Sequence, residues 1–123
     1  MAEFSELVGK TITLIEGGVG SDVMRFHCDD GTTYVMLHEQ DCCESVDVDD
    51  IDSDLDTLIG SPILVAEEST SDKNPPGVVA KEYQDSFTWT FYKLATAKGH
   101  VTIRWYGESN GYYSESVSFE RQT

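Results

Sequence analysis

The strictest limit on what this chain can fold into lies at residues 86–94. Phe87, Trp89 and Phe91 alternate there with Thr88, Thr90 and Tyr92, and a period of two places the two sets on opposite faces of an extended strand. Val101, Ile103 and Trp105 repeat the pattern beyond Lys98-Gly99, and Tyr113, Val117 and Phe119 repeat it beyond Ser109-Asn110-Gly111. Asn-Gly supplies the positive-φ positions of a tight hairpin. The spacing therefore predicts three consecutive strands in one aromatic-rich antiparallel sheet. Burial of their rings is the expected main source of stability.

The first half of the chain carries the same kind of punctuation. Residues 11–15 form a β-branched run between Gly9 and Gly17-Gly18. Residues 22–28 and 32–38 flank Asp29-Asp30-Gly31, a second tight-turn signal. A fourth strand is expected at residues 43–48, where Val46 and Val48 share one face. Residues 53–59 suit a short helix: Ser53 caps it, Asp54 and Asp56 sit at the positive end of its dipole, and Gly60 stops it. Leu55, Leu58 and Ile59 make its buried stripe. Another strand is expected at residues 63–66 after Pro62, and residues 69–77, which include Asn74-Pro75-Pro76-Gly77, have the composition of a surface loop. These elements predict one mainly β (β-rich α+β) domain over residues 1–123. Its antiparallel sheet or meander holds about seven or eight strands, as a sandwich or half-barrel, with one short helix.

Charge narrows the partners. The 123 residues carry a net charge of −15, and residues 26–72 contain no Lys or Arg yet 14 of the 23 acids. Such a surface repels phosphate backbones and attracts a basic partner or a cation, besides keeping the protein dispersed. The 39% hydrophobic content is too high for a disordered chain. No run approaches the ~20 apolar residues that span a bilayer, and Glu3 and Glu6 stand where a secretion signal carries positive charge. A cytoplasmic protein with no membrane partner is expected. Cys28, Cys42 and Cys43 are odd in number and two are adjacent, which fits reduced thiols better than a disulfide framework.

Three constellations invite chemistry. His38-Glu39-Gln40-Asp41-Cys42-Cys43-Glu44 gathers most reactive side-chain types. Zinc ligation is disfavoured because adjacent cysteines on a strand point to opposite faces. His27 and Cys28 add ligands across the hairpin without any spacing that demands it. A Cys42 nucleophile served by His38 with Asp41 or Glu44 requires the strand to bend, and the simpler reading is one buried and one exposed cysteine. The run from Asp47 to Asp56 resembles a calcium loop, but a loop started at Asp50 has Leu55 where glycine is needed and Ser61 where a bidentate acid is needed. A row of carboxylates also imitates the negative charge of a nucleic acid and can occupy a DNA-binding groove, or it is a solvated face. The third constellation is Trp105-Tyr106-Gly107-Glu108-Ser109-Asn110-Gly111-Tyr112-Tyr113, whose outward rings can stack a base or anchor an interface.

The strings His38 to Glu44, Ile59-Gly60-Ser61-Pro62-Ile63, residues 89–96 and residues 102–107 with 109–114 resemble a family of small uncharacterised bacteriophage and prophage proteins. The resemblance implies a genomic setting in which genes of this size encode inhibitors of host enzymes or of antiviral defence. The leading expectation is a non-enzymatic accessory protein in a bacterial host cell, with no cofactor, metal or catalytic residue. It would block a host or defence protein that has a basic surface, using Asp41, Glu44, Asp47, Asp49, Asp50, Asp52, Asp54 and Asp56. The first alternative sequesters a nucleotide-like signal in a pocket drawn from His38, Glu39, Cys42, Arg104, Trp105, Tyr106, Asn110 and Tyr112. A Cys/His enzyme is the second.

Overall fold

The computed structural model describes residues 3–39, 44–73, 86–109 and 114–122. Within it, β1 (Ile12–Glu16), β2 (Val23–Cys28) and β3 (Thr33–Leu37) form the expected meander. Gly31 makes the turn between β2 and β3, with a φ of +88° that an L side chain rarely adopts. Asp30 stiffens that turn by accepting from the Thr32 N–H at 3.0 Å, and it accepts from Lys10 Nζ at 2.6 Å.

The Lys10 bond, then the two Thr32 bonds, hold the Asp30 carboxyl well below the usual carboxylate range. A lowered folded-state value contributes stability that is present above the unfolded aspartate value of about 3.9 and is lost as pH falls through the folded one. Urea denaturation of Asp30→Asn beside the wild type should show a deficit near pH 7 that shrinks as both are acidified below about pH 4. A deficit that grows on acidification would contradict this assignment.

The second half builds β4 (Ser45–Ile51), β5 (Val65–Ser71), β6 (Ser86–Thr96), β7 (Gly99–Ser109) and β8 (Ser118–Arg121). Two four-stranded antiparallel sheets result, ordered β1-β2-β3-β8 and β4-β7-β6-β5. The second is a Greek key, because β5, β6 and β7 follow one another and β4 lies beside β7. The sheets pack face to face over Met24, Phe26, Tyr34, Met36 and Phe119 on one side and Val46, Val48, Tyr92, Leu94, Ile103 and Trp105 on the other. The mainly β expectation holds, in its sandwich form.

Three expectations need correcting. The third aromatic strand does not extend the β6–β7 sheet: β8 crosses over and pairs with β3, Phe119 opposite Met36. There its ring stacks on Tyr34 at 5.2 Å and meets Phe4 edge-on at 5.1 Å. Residues 53–59 make a single 3-10 turn, Leu55–Leu58, and Asp54 rather than Ser53 caps it by accepting from the Asp56 N–H. Leu58 is fully buried while Leu55 and Ile59 only flank the core, a stripe too narrow for a longer helix. The strand expected at 63–66 starts two residues later and runs through Ser69–Ser71, part of the expected loop, because β6 is long enough to pair with it from Ala95 to Trp89.

The structure also decides which face of β6 meets the core. Thr88, Thr90, Tyr92 and Leu94 share the inward parity, whereas Phe87, Trp89 and Phe91 take the outward one. Trp89 is nevertheless only 3% exposed, its ring 4.5 Å from that of Tyr106, the residue directly opposite on β7. Among the described residues no helix is long and apolar enough to cross a membrane.

Candidate functional site

The acidic stretch begins on β4, at the edge of its sheet. Val46 and Val48 turn inward and Asp47 outward. A bulge between Val48 and Asp50 then interrupts the alternation, so Asp49 and Asp50 are both exposed. Asp49 is not free to meet a partner: its Oδ2 accepts from Arg104 Nε at 2.9 Å and Nη2 at 2.6 Å. The same guanidinium lies 4.9 Å from the Trp89 ring centre, a cation–π contact. Charges at an exposed strand edge also discourage pairing with other chains.

Beyond the bulge, Asp50, Asp52, Asp54 and Asp56 are all exposed. Asp52 Oδ1 accepts from the Thr102 N–H at 2.8 Å, which pins the end of β4 to β7. Asp54 is tied down as the cap of the 3-10 turn. Among the described residues none of these four carboxylates forms an ion pair. The bonds of Asp52 and Asp54 hold those two carboxylates at fixed positions.

Glu44 departs from the expected acidic surface. It is 5% exposed, and its Oε2 lies 2.8 Å from His38 Nε2. The other ring nitrogen of His38, Nδ1, lies 2.7 Å from the Ser116 carbonyl oxygen. A carbonyl only accepts, so Nδ1 carries the hydrogen that it donates to Ser116. His38 follows β3 and Glu44 precedes β4, while Ser116 lies between β7 and β8. The imidazole thus ties together both passages of the chain from one sheet to the other.

Glu115, in the second passage, was not legible as a site residue. It is 8% exposed and accepts from the hydroxyls of Thr88 at 2.9 Å and Ser109 at 2.6 Å. Gly107 lets it approach, since a Cβ there would lie 2.8 Å from the Glu115 carbonyl oxygen. A lone acid between two serines carries no spacing signal that could have announced this.

The expected pocket does not assemble among the described residues. Trp105 is fully buried in the core, and Tyr106, on the opposite face, is 8% exposed with its hydroxyl donating to Glu108 at 3.0 Å. Arg104 shares the Tyr106 face, His38 sits at the sheet crossings, and Glu39 is exposed. Asp41, Cys42, Cys43, Asn110, Tyr112 and Tyr113 lie outside the described residues. His27 and Cys28 take opposite faces of β2 and so cannot share a site. His27 Nε2 meets Glu16 Oε1 at 2.6 Å, and burial pushes the Cys28 thiol up, away from a reactive thiolate. Among the described residues no group of three or more His, Cys, Asp or Glu side chains is placed to hold a metal ion.

No curated protein and no solved structure matches the chain. One family model does, over residues 5–119, from the 3-10 turn at Phe4–Leu7 to Phe119 in β8. Because the match spans both sheets, this chain belongs to the family described as Domain of unknown function (DUF7448).

Proposed function

We propose that this protein is a non-enzymatic binding module whose exposed carboxylates dock the basic surface of another protein. The observation that carries the reading is the set Asp50, Asp52, Asp54 and Asp56: exposed, without ion pairs among the described residues, and held on hydrogen-bonded backbone. An anionic surface fixed in advance loses little conformational freedom on binding and steers a cationic partner from a distance. Nucleic acid itself is repelled, whereas the groove of a nucleic-acid-binding protein is attracted. The likeness to bacteriophage and prophage proteins directs the proposal to a host or antiviral-defence protein in the bacterial cytoplasm. A nucleotide-sequestering pocket has less support, since Trp105 and Tyr106 offer almost no exposed ring to stack on.

The test is capture of proteins from a bacterial host lysate by the tagged chain, with identification by mass spectrometry. The control replaces Asp50, Asp52, Asp54 and Asp56 with Asn, which preserves acceptor oxygens at Asp52 and Asp54 while removing four charges. Retention of the captured partner should fall at least about tenfold, and its salt dependence should flatten. Equal retention by the neutral variant would remove the docking proposal.

A further inference from the structure

Thr90 on β6 and Trp105 on β7 are direct cross-strand partners. Both belong to the inward face, at 1% and 0% exposure. Directly opposite residues have Cβ atoms about 4.5–5.5 Å apart, so the two side chains stand side by side in the sandwich interior. Among the described residues neither Thr90 Oγ1 nor Trp105 Nε1 has a hydrogen-bond partner. Their neighbours are treated differently. Two residues along the same face, the Thr88 hydroxyl donates to Glu115 Oε1, and the Ser109 hydroxyl serves Glu115 Oε2.

We propose that one buried water molecule bridges Trp105 Nε1 and Thr90 Oγ1, which makes this pair a ligand site for a single neutral donor–acceptor molecule. The chemistry of the two groups matches that ligand. An indole N–H can only donate, so it needs an acceptor; a hydroxyl both donates and accepts. Water supplies a lone pair to the first and either role to the second. Buried polar side chains are partnered in the large majority of cases, and an interior water needs two or more polar contacts. A charged ligand is excluded, because neither group carries a charge to answer it and an unpaired buried charge is costly.

The chain has two tryptophans, so a nitrogen-edited spectrum holds two indole N–H signals, and Trp89→Phe identifies that of Trp105. Magnetisation transfer from water to this signal, with the sign of a long-lived bound molecule, is the expected result. A crystal structure of the whole chain should place ordered density within about 3 Å of both atoms. Thr90→Val should abolish both observations, and Thr90→Ser should keep them. A folded wild type with neither the transfer nor the density overturns the proposal. So does a Thr90→Val protein in which the density persists. If Thr90→Val fails to fold, the wild-type measurements and Thr90→Ser decide the matter alone.

Discussion

Glu44→Ala is expected to destabilise the protein by about 1–3 kcal/mol, the range for leaving a buried hydrogen-bonding group without its partner. The cost comes from what stays behind. His38 is 3% exposed at its side chain and is held at Nδ1 by the Ser116 carbonyl, so its Nε2 cannot turn to another partner when the carboxylate is removed. Glu44→Gln should cost much less, since an amide N–H can donate to a neutral Nε2 and the bond survives without charge. Replacing His38 and Glu44 together with Leu and Met should recover part of the loss, because no polar group is then orphaned. Urea denaturation of the four proteins measures all of this. A Glu44→Ala loss below about 1 kcal/mol would show that the pair does not hold the two sheet crossings.

Gly107→Ala is the second large effect, at about 1–3 kcal/mol, and it works in the opposite sense: it adds an atom where there is no room. The new Cβ would lie 2.8 Å from the Glu115 carbonyl oxygen, 3.0 Å from the Glu115 Cβ and 3.0 Å from Val46 Cγ2. Two of these obstacles belong to the segment that carries the chain from β7 to β8. Relief requires that segment to lift, which strains the bonds from Thr88 and Ser109 to Glu115 and the contact of Ser116 with His38. Gly107→Val should be worse. Thermal unfolding would show the loss as a lowered midpoint, and a shift within error of zero would mean that the segment moves freely.

Both effects concern places where the chain changes sheets, and those places were the least legible in the sequence. The period-two rows at residues 86–94 and 101–105 identify strands and their faces, because side-chain direction along a strand depends only on local geometry. The Asp29-Asp30-Gly31 turn was equally readable, since only glycine adopts its φ without strain. The same alternation in Val117 and Phe119 marked a strand but not its partner. That partner depends on where the Phe119 ring is buried, and it packs against Tyr34 and Phe4, which no local pattern announces. Likewise the acidic run was visible as composition, yet composition could not separate Asp49, spent on Arg104, and Glu44, spent on His38, from the four carboxylates that stay exposed.

The sequence by itself determined a mainly β chain, the faces of its long strands, the hairpin at Asp29-Asp30-Gly31 and the anionic character of its middle third. Each follows from interactions among residues close along the backbone or from simple charge count. Tertiary structure alone decided which sheet received the last strand, which β6 face met the core and which acids were neutralised. Those outcomes depend on what distant segments bring into contact, and the rules of local geometry carry no information about that.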